Sequence, residues 1–547
     1  MGPLILIPLV GLFATCLRFC RAIASRIRKR RALRDIRGPP SASFLTGHLK
    51  QIIDPSGLNF FDELLLCYGS VARLSGLCGD ALLCISDPVA LTHILVNDSD
   101  TFPEVDLTGT THVNMFMLGP GLLTTNGSQH RRQRKVLNPA FSGTKIRHIS
   151  PLVQEVVKQF RSSLITRIEL SGGDIIDVAP SLGHLALEVV GQAHFGCSFF
   201  GGSLDALKGD SEGSEYVSAA KELVPALTAL GPLLAVFVAI GLADLPPPVL
   251  RAAGDGVSYI FPTLRRFMAI VDTLYRTSRD LWESKKAELI GGNMMLREAV
   301  EHSDDLLGVL LGEGATSRMG PGLPEEELLS QLNTLVLAGV ETTSNALCRI
   351  LHLLALNQDI QGRLRAEIVQ AGQDVDYDAL TALPLLDAVC RETLRLYAPL
   401  PYRNRIAAEE TAIPLSSGET LHVPAGTEVL VNCHGLNTDP AVWGTDAQEW
   451  QPERWFKPLP KVEIPGVYAH SMSFLGGPKA CLGFSFAILE MKTTLAMLLP
   501  VFKFISCPDQ EIVWRFGPLI SPSVNGEKSL HPKMPLRLER ILDPTVS

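Results

Sequence analysis

The chain has 547 residues and a formal net charge of −8, from 49 Lys and Arg against 57 Asp and Glu. That charge is uneven: residues 1–40 hold nine Lys and Arg against Asp35 alone, so this segment is +8 and the remainder −16. An acidic body with no basic, aromatic-interleaved patch excludes nucleic acid as a partner. Eleven cysteines without a CxxC pair or regular spacing exclude a disulfide framework and read as reduced thiols on the cytosolic side of a membrane.

Taken in order, Gly2 to Leu17 is uncharged and mostly apolar, and Arg18, Arg21, Arg26, Arg28, Lys29, Arg30 and Arg31 follow it. Phe19, Cys20 and a snorkelling Arg18 bring the run near the ~20 residues that span a bilayer. The basic flank lies on the C-terminal side and no small-x-small cleavage site precedes it, the reverse of a secretory signal. Residues 1–25 therefore read as an uncleaved, single-pass anchor in the endoplasmic reticulum membrane with the body in the cytosol. Residues 26–40, ending in Ile36-Arg37-Gly38-Pro39-Pro40, read as a basic and Pro-rich hinge, and residues 41–547 as one large domain.

Val71 to Pro88 reads as a hairpin about Gly79-Asp80. Gly127 opens a short basic helix on which His130 and Arg134, spaced i, i+4, share a face; the plain alternative is a solvated cationic surface. Asn97-Asp-Ser and Asn126-Gly-Ser match a glycosylation pattern by chance. Leu223 to Ala243 is a second apolar stretch, interrupted by Pro225, Gly231, Pro232 and Gly241. After Pro324, the acids Glu325, Glu326 and Glu327 start a helix that runs past Arg349. Leu332, Leu335, Gly339, Thr342 and Ala346 recur at 3,4 spacing on one of its faces. That face loses bulk at Gly339 and gains a hydroxyl at Thr342, a groove suited to a flat cofactor and a diatomic ligand. The plain alternative is a core threonine bonded to the carbonyl four residues earlier.

Leu385 to Tyr397 is amphipathic, and Glu392 falls on the apolar stripe of Leu385, Val389 and Leu396. A buried carboxylate needs a partner, and Arg395 lies one turn on. Arg403 and Arg405 follow, then Leu421 to Asn432 as a hairpin turning at Pro424-Ala425-Gly426, then Pro452-Glu453-Arg454-Trp455. Last comes Phe474-Leu475-Gly476-Gly477-Pro478-Lys479-Ala480-Cys481-Leu482-Gly483, a glycine loop delivering one cysteine ahead of a helix from Phe484 to Leu498. The helix N-terminus and Lys479 favour the thiolate, which suits a metal ligand or a nucleophile; a lone cysteine is otherwise a buried structural residue.

The string Phe474 to Gly483 fits F-x-x-G-x-[RK]-x-C-x-G and resembles the haem-binding loop of the cytochrome P-450 (haem-thiolate monooxygenase) family. The chain is similar to that family's membrane-anchored eukaryotic, fungal-like members. The resemblance implies a mainly α fold with a small β-rich region, preceded by a single N-terminal transmembrane helix, and haem b (iron protoporphyrin IX) as cofactor. It makes Cys481 the iron ligand, a thiolate that pushes electron density toward O–O cleavage, in a loop shaped by Phe474, Gly477 and Gly483. Lys479 stands where the family usually has arginine, keeping the charge toward a propionate but not the forked geometry.

Ala338 to Thr343 matches the family's [AG]-G-x-[DE]-T-[TS], which implies Thr342 and Glu341 as catalytic proton donors, with Gly339 at the haem. His130, in place of the usual tryptophan, joins Arg134 and Arg405 at the propionates, with Arg403 the lesser alternative. Glu392, Arg395 and Arg454 correspond to the structural E-x-x-R and P-E-R elements. The 223–243 stretch resembles the region over the substrate channel, which dips into the bilayer. The basic helix at His130 also resembles a docking face for an acidic electron donor.

The function implied is insertion of one oxygen atom from O2 into a lipophilic small molecule by hydroxylation or epoxidation, in a secondary-metabolite, terpenoid-like setting. With no G-x-G-x-x-G after a strand and 66 residues beyond Cys481, electrons must come from a separate NADPH-cytochrome reductase, with cytochrome b5 as an accessory donor. Two other readings stand: a haem-thiolate isomerase or dehydratase that takes a peroxide, and a non-catalytic membrane-anchored haem- or lipid-binding protein. An intact Glu341-Thr342 pair argues against the isomerase.

Overall fold

A computed structural model of the chain describes residues 23–106, 112–171, 175–200, 215–239, 245–291, 323–372 and 375–541. The apolar run Gly2–Leu17 lies outside the described residues. We number the elements that position the site: helix α1 (23–32), strands β1 (Val71–Ser75) and β2 (Ala81–Ile85), helices α2 (Gly127–Leu137), α3 (Gly143–Ser171) and α4 (Val178–Val190), α5 (Glu215–Ala239), α6 (Pro262–Gly291) and α7 (Glu325–Leu356). Helix α8 (Pro384–Leu396), strands β3 (Tyr402–Ile406), β4 (Thr411–Pro414), β5 (Thr420–Val423) and β6 (Glu428–Asn432), and helix α9 (Phe484–Leu498) complete the set. The architecture is mainly helical with small sheets, as expected. Among the described residues no helix is long and apolar enough to cross a membrane.

The long helix α7 is the axis of the body. Pro324 precedes it and the three glutamates fill its first turn, where the positive end of the helix dipole favours acids. It packs against α4, α6, α8 and α9, so Leu347, Ile350, Leu354 and Leu495 lie in one helical core with Val153 and Leu185. Each such buried side chain contributes about 1.5–3 kcal/mol relative to exposure. Residues 327–334 and 343–355 of α7 are buried, whereas between them Leu335, Leu337, Ala338, Gly339, Glu341 and Thr342 keep accessible surface, Ala338 the most. That window is where something other than protein can meet the helix.

The main sheet has the order β1-β2-β6-β3, with β1/β2 antiparallel, β2/β6 parallel and β6/β3 antiparallel. The predicted β1–β2 hairpin forms, its turn at Leu77–Gly79 lying just ahead of the expected Gly79-Asp80. The second predicted hairpin does not form. β5 pairs with β4 (Thr411↔Val423), and β6 leaves for the main sheet beyond the Pro424–Thr427 turn. Alternation and a turn marked two strands correctly, but their partners come from elsewhere in the chain. The prolines expected to interrupt 223–243 do not: α5 is continuous through Pro225 and Gly231 to Ala239.

Residues 26–40 are more than a hinge. Leu33 is fully buried in the core of the main sheet, beside Leu83, Val429 and Val431. Lys29, 5% exposed, pairs with Asp80 at 2.6 Å and donates to the Gly426 carbonyl at 3.1 Å. Arg73 donates back to the carbonyls of Leu33 and Arg34. A Cβ at Gly38 would sit 1.9 Å from the Arg73 carbonyl oxygen, so only glycine permits this approach. The segment reads as a hinge alone because its partners, Asp80 and the Pro424–Thr427 turn, are remote in sequence.

Candidate active site

The cysteine loop is fixed by backbone contacts that a side chain would block. Gly477 has φ +70°, and a Cβ there would lie 1.8 Å from the Leu95 carbonyl oxygen. The Cys481 amide donates to the Phe474 carbonyl at 2.9 Å, closing the loop, and the Phe474 ring packs against Tyr468 and Phe484. Gly483 precedes α9; a Cβ there meets only Phe141, at the ordinary contact distance of 3.7 Å, so its protein neighbours do not require glycine. Cys481 presents accessible surface although it lies deep in the fold.

Burial pushes the Cys481 thiol up, opposed by the Gly483 amide and by Arg134. Lys479, expected to assist the thiolate, does not face it: its ammonium is directed to Glu104 at 3.7 Å and to the Leu122 and Thr125 carbonyls. Arg134 takes that place, donating Nη1 to the carbonyls of Pro478 at 2.8 Å and Ala480 at 2.6 Å beneath the loop. A thiol raised by burial is deprotonated when it ligates a metal. Among the described residues no three His, Cys, Asp or Glu side chains converge as a metal cluster. A metal held at Cys481 would draw its further ligands from a prosthetic group.

On α7, the Thr342 hydroxyl donates to the Ala338 carbonyl at 2.5 Å, the local bond weighed from sequence, while the residue keeps accessible surface in the 335–342 window. Gly339 also makes room for α4: a Cβ there would lie 2.8 Å from Val190 Cγ2. The exposed residue of that turn is Ala338, one position off the apolar stripe and missed for that reason. Burial raises the Glu341 carboxyl to about 7, with Lys221 of α5 opposing the rise. Lys221 in turn contacts His184 Nε2 of α4. No spacing in the sequence marks these two partners, since they come from separate helices.

A cleft of about 380 Å³ opens at the other end of the loop, lined by Glu104, His130, Arg405, Lys479 and Phe102 among others. Arg405 is 2% exposed; its Nη1 donates to the Asn404 carbonyl at 3.0 Å and its Nη2 has no partner. A buried guanidinium nitrogen left without an acceptor is costly, and at the edge of a cationic cleft it fits the carboxylate of a haem. Arg403 is paired with Glu104 instead, which favours Arg405 as the carboxylate ligand. His130 is buried, and burial followed by Lys479 and Arg134 lowers its ring to about 3. It is neutral at working pH and brings a ring N–H donor to this edge, not a charge.

The structural triad is as the sequence predicts. Arg395 Nε and Nη2 donate to Glu392 Oε2 and Oε1 at 2.9 and 2.8 Å, both side chains fully buried. Arg454 Nε reaches Glu392 Oε1 at 3.2 Å, and Trp455 Nε1 reaches Oε2 at 3.1 Å. Arg395 Nη1 also donates to the carbonyls of Asn437 and Ala447, tying α8 to the segment that leads into the cysteine loop.

A lone cysteine in a glycine loop, a hydroxyl-bearing helix window and a cationic cleft with an unpartnered guanidinium nitrogen fit a haem-thiolate protein. A family model described as Cytochrome P450 matches residues 37–527. The chain is 40% identical to cytochrome P450 monooxygenase 91 of Postia placenta over 95% of its length and 96% of that protein's. It is 37% identical to a ganoderic acid synthetase of Ganoderma lucidum over 94% and 95%, and 33% identical to a cytochrome P450 monooxygenase of Hericium erinaceus over 96% and 97%. The chain belongs to the cytochrome P450 family. It is a haem b-dependent, oxygen-incorporating oxidoreductase that works with O2, a substrate and a reducing partner.

Proposed function

We propose that this monooxygenase hydroxylates or epoxidises a lipophilic, terpenoid-like molecule in secondary metabolism, receiving electrons from a separate NADPH-cytochrome reductase at the endoplasmic reticulum membrane. The observation that carries the reading is the accessible window of α7, where Ala338, Glu341 and Thr342 keep surface between two buried stretches, 327–334 and 343–355. The 37% identity to a protein named for ganoderic acid supports the substrate class, and the apolar face of α5 supports lipophilicity.

Haem bound at Cys481 supplies dioxygen activation at its iron. The residues supply proton control. Glu341, with its carboxyl near 7, exchanges a proton at neutral pH. Thr342 Oγ1 donates its hydrogen bond to the Ala338 carbonyl, which leaves its lone pairs to accept from a proton-carrying water. Thr342→Ala should leave NADPH consumption running in a reconstituted system while product per NADPH falls about tenfold or more, peroxide making up the difference; a positioned proton donor is worth roughly 10²–10⁴ in rate. Unchanged coupling would remove Thr342 from this role. A haem-thiolate isomerase needs no such proton delivery, and turnover independent of NADPH and O2 would favour it.

For the domain organisation, the proposal keeps residues 1–25 as anchor and 41–547 as the haem domain, with 26–40 docked between them. Deleting residues 1–22 should move the protein out of the membrane fraction with its melting temperature kept. Deleting 1–40 should also remove Leu33 and the Lys29–Asp80 pair and cost about 2–5 kcal/mol, the usual loss for one large buried aliphatic side chain. Equal melting temperatures for the two truncations would contradict this.

A further inference from the structure

The cleft beside Lys479 contains a carboxylate that a haem-carboxylate site does not need. Glu104 is 8% exposed and held by its backbone: its amide donates to Asn126 Oδ1 at 3.2 Å, its carbonyl accepts from Asn126 Nδ2 at 2.9 Å, and it bridges antiparallel to Arg405. Its side chain reaches three cations at once. Oε1 accepts from Arg403 Nη2 and lies 3.4 Å from Arg405 Nη1, and Oε2 lies 3.7 Å from Lys479 Nζ. Burial works against its ionisation, but Arg403, Arg405 and Lys479 outweigh it and hold the carboxyl at about 2, so it is charged at any working pH.

The neighbouring groups leave this cluster to itself. His130 is neutral, Arg134 is turned to the Pro478 and Ala480 carbonyls, and Arg131 at the rim is matched by Asp100 at 2.8 Å. Three cations and one carboxylate give a net of +2, the complement of the two carboxylates that a haem carries. Arg405 Nη2, buried and without a partner, is the part of the cluster that Glu104 does not occupy.

We propose that Glu104 is a fixed counter-charge at the haem-carboxylate edge, which holds Arg403, Arg405 and Lys479 in register and lowers the reduction potential of the haem iron. A negative charge held in a low-dielectric cleft stabilises the more positive, oxidised iron over the reduced one, and net charge and burial are levers by which a protein sets such a potential. The inference rests on the haem-thiolate reading.

The test is spectroelectrochemical titration of the purified, haem-loaded chain beside Glu104→Gln, which keeps the shape and removes the charge. A shift to more positive potential is expected, with the thiolate-type band of the reduced carbon monoxide complex retained in both. An unchanged or more negative potential overturns the proposal. A wild-type chain without that band overturns the haem-thiolate reading itself and this inference with it. Where Glu104→Gln alone takes up no haem, the same comparison is made in an Arg403→Gln background, which removes the guanidinium that donates to Glu104. There the double variant must titrate at a more positive potential than Arg403→Gln, and equal potentials overturn the proposal.

Discussion

Glu392→Ala is expected to give a chain that neither retains haem nor melts near the wild-type temperature. The carboxylate accepts from Arg395 twice, and from Arg454, Trp455 Nε1 and the Gln451 amide. Its removal strands Arg395, which has no accessible surface. Breaking a buried pair by deleting one partner costs about 3–5 kcal/mol, a large share of the roughly 5–15 kcal/mol that holds a domain together. The damage reaches the site because Arg395 also holds the Asn437 and Ala447 carbonyls, and Asn437 Oδ1 accepts from the Met472 amide just ahead of the cysteine loop. Glu392→Gln, which keeps an acceptor but loses the charge, should fall between. Thermal melting and haem quantitation of the purified variants check both expectations, and normal haem content in Glu392→Ala would refute the assigned role.

Cys481→Ser is expected to abolish monooxygenation while leaving the fold in place. The loop geometry rests on Gly477, the Cys481 amide and Arg134, none of which needs sulfur. Arg405 can still meet a haem carboxylate. A serine hydroxyl does not supply the electron density by which a thiolate favours O–O cleavage. Turnover should fall by roughly 10³-fold or more, on the order of 4 kcal/mol of barrier. Product formation with reductase, measured beside the melting temperature, separates this from unfolding; retained turnover would contradict it.

What was legible in the sequence is what is local. The cysteine loop is written in consecutive residues, and the Glu392 stripe and the Thr342 helix face in a 3.6-residue period, so the structure places them as read. What was not legible depends on distant partners. Lys29 is one of several cations in the basic flank until Asp80 and Gly426 appear beside it. β5 and β6 read as one hairpin because nothing local says that β4 and β2 claim them. Lys479 adjoins Cys481 in sequence yet faces Glu104, a residue in no motif. Gly339 reads as part of the haem groove, and no local pattern shows that its missing side chain also makes room for Val190. Periodicity locates a face of a helix; only packing says which neighbour uses it.

The most direct measurement is the carbon monoxide difference spectrum of the purified chain after reduction. Cys481 as iron ligand predicts the strongly red-shifted Soret band of a thiolate-ligated haem, and its disappearance in Cys481→Ser. A band at the position of a histidine-ligated haem, or the red-shifted band persisting in Cys481→Ser, would contradict it.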